Sequence, residues 1–144
     1  MDVSNPVVKL CAQGMEEEGK GNVEEVAELF ARAWAQSSND FESCIAAHYV
    51  ARHQPTPELT LHWNQLALDC AHRVQDSSVD EFFPSLYLNL GKSLEDLGST
   101  DQAREMYEHA GAKIICLPAG AYRDIIQDGI RRGLVRVSNA RRSG

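Results

Sequence analysis

The chain has 144 residues, 43% of them hydrophobic and 24% charged, with a formal net charge of −7. This mixture is typical of one soluble globular domain, and no run approaches the roughly 18 apolar residues that span a bilayer. Residues 1–122 carry 8 Lys and Arg against 19 Asp and Glu, whereas residues 123–144 carry 6 Arg against 2 Asp. A broad nucleic-acid-binding surface on the acidic part is therefore not expected.

The N-terminal segment lacks the cationic start and apolar run of a secretory signal. The four cysteines form no CxxC pair, so neither a zinc site nor thioredoxin-like chemistry has local support. We expect buried, reduced thiols and a cytoplasmic location. The cysteines are Cys11, Cys44, Cys70 and Cys116.

Almost every segment has the apolar period of an amphipathic helix, and no period-two alternation extends over a strand's length. In chain order, residues 7–40, 41–74 and 84–117 each predict two helices joined by a turn. The middle pair is the most divergent of the three. Residues 118–133 predict a seventh, capping helix, whose apolar face is expected to consist of Tyr122, Ile125, Ile126 and Ile130. Residues 135–144 predict a basic, flexible tail.

Small residues recur where the paired helices are expected to cross. In the third pair, Gly91, Ala103 and Ala110 would let two helix axes approach closely, and Tyr87 and Tyr107 would fill the space beside them. A large side chain at Gly91 is therefore expected to be costly, whereas Gly91→Ala is expected to cost little.

The segment 84–117 resembles a tetratricopeptide repeat, a family with a 34-residue period. The matching residues are Tyr87, Leu90, Gly91, Ala103, Tyr107 and Ala110. The same frame over residues 7–40 places Gly14, Phe30 and Ala33 at family positions. The resemblance implies a single all-α domain over residues 1–134, a right-handed superhelix of antiparallel helix pairs with about three repeats and a capping helix.

The residue pattern contains no signature of a reaction. The five histidines have neither the HExxH nor the HxE spacing of a zinc site, and the Glu16–Glu18 run is expected at a solvated helix end. Cys116 has no neighbouring histidine motif that would mark a nucleophile. We therefore expect a protein that is not an enzyme and has no cofactor.

The resemblance implies that the first helix of each pair lines a concave groove. The function expected from it is a scaffold that binds a protein or peptide partner there. The candidate contact residues are Met15, Tyr49, Arg52, Leu88 and Lys92.

Two alternatives stay open at this stage. The groove could take a small ligand or a signalling peptide, which would make the protein a sensor or regulator. The basic C-terminus could instead serve an RNA- or nucleoprotein-associated factor. The residues concerned are Arg131, Arg132, Arg136, Arg141 and Arg142.

Overall fold

The computed structural model describes residues 2–143, and side chains as far as Ala140. Within this range the chain forms seven α-helices and three short 3-10 helices, with no strand, which confirms the all-α prediction. The α-helices are α1 (Pro6–Gly19), α2 (Val23–Gln36), α3 (Asp40–Val50), α4 (Pro57–Arg73), α5 (Phe83–Asp96), α6 (Thr100–Lys113) and α7 (Ala121–Ser143). The 3-10 helices are Ala51–His53, Asp80–Phe82 and Ile114–Cys116.

Polar side chains cap the beginnings of α1 and α4. The Asn5 side chain accepts hydrogen bonds from the backbone N–H groups of Val7 and Val8 and so caps α1. Thr56 caps α4 in the same way, and Pro57 follows at the first helical position. The helices that begin one residue before the three predicted boundaries are α1, α3 and α5, and each contacts the helix that follows it, α2, α4 and α6 respectively.

The last helix is longer than the sequence predicts. Helix α7 has 23 residues and continues to Ser143, past the predicted end near residue 133 and through the segment from residue 135 that is predicted as a basic, flexible tail. The apolar period continues through Ile130 to Val137, whose side chain is only 1% exposed. Core packing therefore holds the segment helical well beyond the predicted boundary.

The chain divides into two compact units, Met1–Gln75 and Asp76–Gly144, where the sequence predicts one domain over residues 1–134. In the first unit, α1 and α3 run in the same direction. Asn5 bonds Glu42 at their beginnings, at 2.9 Å, and Glu18 pairs with Arg52 at their ends.

The second unit contains a related arrangement of α5 and α7. Leu88 lies against Gly129, and seven residues later Glu95 pairs with Arg136. These two contacts show that α5 and α7 also run in the same direction. Helix α6 packs against both.

The core of each unit is built around one aromatic ring that lies against a glycine. In the first unit, the Phe30 ring on α2 contacts Gly14 on α1, where a Cβ atom would overlap the ring, and Tyr49 on α3 covers it at 5.2 Å between ring centroids. In the second unit, Tyr107 is fully buried between two glycines. A Cβ atom would lie 2.8 Å from its Cε1 atom at Gly91 and 2.5 Å from its Cζ atom at Gly133.

The two cores share one residue pattern. Gly14, Glu18, Phe30 and Ala33 return 77 residues later along the sequence. The counterparts are Gly91, Glu95, Tyr107 and Ala110. The turns after α1 and α5 also correspond, since Gly21 and Gly98 both have a φ of 82°, which favours glycine. The first and third helix pairs therefore pack in the same way, with an aromatic ring of the second helix against a glycine of the first.

These contacts contradict the expectation that Gly91→Ala costs little. We predict that Gly14→Ala and Gly91→Ala each lower the free energy of unfolding by about 1–3 kcal/mol, because the added methyl group must displace a buried ring. Urea denaturation followed by circular dichroism measures the effect.

Gly19→Ala is the matched control. Gly19 also lies in α1, but a Cβ atom there meets nothing within 4 Å. This change is expected to leave stability unchanged or to raise it by up to about 1 kcal/mol through helix propensity. Equal stability of the Gly14→Ala and Gly19→Ala variants would contradict the close-packing interpretation.

Candidate partner-binding surfaces

The first unit carries three of the predicted contact residues. Met15 on α1 is 47% exposed and is available to a partner. Tyr49 on α3 is half-buried, because its ring covers Phe30. Arg52, in the 3-10 helix after α3, is exposed but pairs with Glu18, its Nη2 atom lying 2.5 Å from Oε1.

Glu18 interacts with two basic side chains of the first unit, Arg52 and His53. Its second carboxylate oxygen lies 2.6 Å from His53 Nε2, and the His53 ring stacks on Phe30 at 6.0 Å. Burial raises the pKa of Glu18, but the hydrogen bond to His53 and the charge and hydrogen bonds of Arg52 outweigh it, so the pKa is lowered. The carboxylate therefore ties the end of α1 to the segment that follows α3.

His48 adds an uncharged aromatic surface beside Tyr49, with ring centroids 5.1 Å apart. Burial, helped by the positive charge of Arg52, lowers the pKa of His48 to about 4. The imidazole is therefore neutral at pH 7.

The second unit carries the other two predicted contact residues. Leu88 packs against the buried cluster of Ala103, Tyr107 and Val137. Leu88 therefore packs mainly against the core, and less of its side chain is accessible to a partner. Lys92 is exposed and pairs with Asp96 one turn later, with 2.6 Å from Nζ to Oδ1.

Glu95 joins the three helices of the second unit. It accepts a hydrogen bond of 2.6 Å from the Tyr107 hydroxyl and two from Arg136, of 2.8 and 3.1 Å. Burial raises the pKa of Glu95, but these donors outweigh it and lower the pKa. Burial and the negative charge of Glu95 raise the pKa of Tyr107, which keeps its hydroxyl protonated as a donor.

The nine residues that carry the repeat resemblance are structural. All of them are buried, and none presents a surface to a partner. They are Gly14, Phe30, Ala33, Tyr87, Leu90, Gly91, Ala103, Tyr107 and Ala110.

The sequence predicts Glu18 at a solvated helix end and does not predict the ion pairs that Glu18 and Glu95 form with arginine. The signal was present, because each stands four residues after the glycine of its helix and therefore one turn further on the same face.

The arginines of the RNA hypothesis are largely engaged with carboxylates. Arg131 and Arg132 both pair with Asp128, at 2.6 and 2.9 Å, and Arg136 pairs with Glu95. The side chains of Arg141 and Arg142 lie outside the described residues. No observation therefore favours a nucleic-acid surface over the other hypotheses.

Three of the four cysteines are buried thiols, as predicted. Burial raises the pKa of Cys11 and Cys44 to about 12, which keeps them protonated, while Cys116 is half-buried. In the part of the chain described here, no group of three or more His, Cys, Asp and Glu side chains is placed to hold a metal ion.

An open depression of about 380 Å³ lies at the beginning of α6. It is lined by Gly98, Ser99, Thr100, Asp101, Gln102 and Ala140. None of the helices in residues 2–143 combines the length and apolar character needed to cross a membrane.

Comparisons of the chain with family models, with curated proteins and with solved structures find no match. The function is therefore argued from the residues alone.

We predict that Glu95→Gln lowers the free energy of unfolding at pH 7 by about 1–3 kcal/mol, since it removes a charged acceptor shared by two donors. The folded-state pKa of Glu95 lies below its ordinary value of 4.5. Its stabilisation is therefore complete above that pH and is lost as the pH falls through the folded-state value. The variant should show a smaller loss of stability than wild type over that acid range.

Glu108→Gln is the control, because Glu108 forms an exposed pair with Arg104 on α6. It is expected to change stability by less than about 0.5 kcal/mol. Thermal melts of both variants from pH 7 to pH 3 make the comparison, and identical behaviour of the two would contradict the role given to Glu95.

Proposed function

We propose that the chain is a non-catalytic interaction module that binds a protein or peptide partner. In this proposal it is a tetratricopeptide-like repeat protein, a right-handed superhelix of antiparallel helix pairs, and the first helix of each pair contributes to a concave binding face. The buried positions of the nine repeat residues are consistent with this family and support the proposal.

One observation carries the proposal. In both units, a first helix runs alongside a later helix in the same direction, and a glutamate at the corresponding position of that first helix pairs with an arginine, which lies just after α3 in the first unit and on α7 in the second. This arrangement fixes two neighbouring helices as a rigid surface, which lowers the entropic cost of binding a partner.

Met15 in the first unit and Lys92 in the second correspond in the 77-residue spacing, each standing three residues before Glu18 or Glu95. Both side chains point to solvent, with 47% of Met15 and 54% of the Lys92 side chain exposed. Neither is needed for the core, so both are available for recognition. A flexible thioether adapts to apolar side chains, and an ammonium group suits a carboxylate.

Tyr49 and Arg52 provide a second kind of contact in the first unit. Tyrosine and arginine are enriched in binding hot spots. The Phe30 ring and the Glu18 carboxylate already hold these two side chains in place. These two side chains are therefore already ordered before a partner binds.

The test selects peptides from a random display library against the full chain and measures the affinity of the selected peptides by calorimetry. We predict that Met15→Asp and Lys92→Glu each weaken binding by about 1–2 kcal/mol, by introducing an unpaired charge or a repulsive one. Peptides with carboxylates and a few apolar side chains are expected to be enriched.

The control is Glu105→Lys together with Glu108→Lys on α6, where both carboxylates are exposed. It should leave affinity within about twofold of wild type, since it lies away from the first helices. Binding that survives Met15→Asp and Lys92→Glu but is lost in the control would show that the partner uses the other face.

A further inference from the structure

The exposed side of α7 carries large apolar side chains that are not part of the buried core. Ile125 is 67% exposed and Val135 is 50% exposed, although the buried side of the same helix supplies Ile126, Ile130 and Val137 to the core. The sequence predicts Tyr122 and Ile125 in the buried apolar face, but the structure exposes both, Tyr122 to 55%.

Ile125 and Val135 belong to a stripe of residues with a regular spacing. Its positions alternate by four and three residues, which is the spacing of a helix face that packs against another helix. The stripe consists of Ala121, Ile125, Asp128, Arg132, Val135 and Asn139. It extends roughly 27 Å along the helix.

The stripe is also symmetric about residue 130 in a way that fits a copy of itself. Two pairs of positions equally far from residue 130 are complementary: Ile125 corresponds to Val135, and Asp128 corresponds to Arg132. The third pair is Ala121 with Asn139. In a dimer with two-fold symmetry, residue i of one copy contacts residue j of the other, and j contacts i. Two α7 helices that cross antiparallel at residue 130 would therefore match apolar with apolar and acid with base.

The same charges disfavour the other orientation. A parallel pair in register would oppose Asp128 to Asp128 and Arg132 to Arg132, and like charges that face each other are repulsive. Asp128 now accepts from both Arg131 and Arg132 of its own helix, at 2.6 and 2.9 Å. Arg131 can hold one carboxylate oxygen while Arg132, whose side chain is 67% exposed, turns to the Asp128 of a second copy.

We propose that the exposed stripe of α7 is a self-association surface, on which a second copy of this chain binds through its own α7 in an antiparallel, two-fold symmetric dimer. A single pair of helices buries less surface than the roughly 1,200 Å² of a standard stable interface. The dimer is therefore a weak and reversible one.

The experiment is sedimentation velocity of the full chain over a concentration series that reaches the millimolar range. Wild type is expected to show a concentration-dependent dimer. Asp128→Arg alone and Arg132→Asp alone should each weaken it by about tenfold or more, because each places like charges across the two-fold axis. An equimolar mixture of these two variants should dimerise again, and so should the variant that carries both changes. Glu105→Arg on α6 is the control and should behave as wild type.

A cross-linking measurement is independent of whether the charge variants fold normally. In a Cys116→Ser background, a chain with Ile125→Cys mixed with a chain with Val135→Cys should form a disulfide under mild oxidation faster than either chain forms one with itself. A wild-type chain that stays monomeric throughout the series overturns the proposal. Dimerisation that both charge reversals leave intact overturns it too, as does a mixture of folded variants that fails to re-associate.

Discussion

The fold depends on an aromatic ring placed directly against a glycine in a neighbouring helix. Phe30 on Gly14, and Tyr107 between Gly91 and Gly133, bring helix axes closer than any side chain at those glycines would allow. Close packing of this kind increases the number of dispersion contacts per residue. The position of the Glu–Arg pair, and with it the candidate binding surface, follows from that approach.

The two units satisfy the same constraint with different side chains. In the first unit, Tyr49 covers a phenylalanine, and Glu18 pairs with Arg52 and His53. In the second unit, Gly133 makes room for a tyrosine, whose hydroxyl reaches Glu95 directly. The missing side chain at Gly133 on α7 leaves space for the larger Tyr107 side chain on α6, which carries a polar hydroxyl group at its end. This exchange explains how the two sequences differ while the glycine and the glutamate keep their spacing.

Much of the fold could be predicted from the sequence, because helices and the turns between them depend on residues that are close together in the sequence. The apolar period, the turn glycines and the small residues at crossings place six helices correctly to within a few residues. The end of α7 was not predicted, although the apolar period of Ile130, Leu134 and Val137 continues past residue 133. Its last apolar position, Val137, lies among Arg136, Ser138 and Asn139, and only the tertiary contact with Tyr107 and Ala103 shows that it is buried. Likewise, the division into two units depends on which helices contact one another, and the spacing of apolar residues along the sequence does not determine these contacts.

The candidate binding surface was predictable only in part. Family positions identified Met15 and Lys92, which are exposed, but they also identified Leu88, which mainly packs against the core. Ile125 is the reverse case, since its place in the apolar period predicts burial and the structure exposes it. When a helix contacts neighbouring helices on two sides, the apolar period of its sequence does not determine which residues at the edge of the apolar face are buried.

The most direct test of the account is a double-mutant cycle between Gly91 and Tyr107. If the ring and the glycine are in contact, Gly91→Ala should be destabilising when Tyr107 is present and neutral or stabilising in a Tyr107→Leu background, with a coupling free energy of about 1 kcal/mol or more. Gly19→Ala combined with Tyr107→Leu should be additive, because Gly19 has no neighbour within 4 Å. Additive free energies of unfolding for Gly91→Ala and Tyr107→Leu would contradict the claim that the fold depends on this contact.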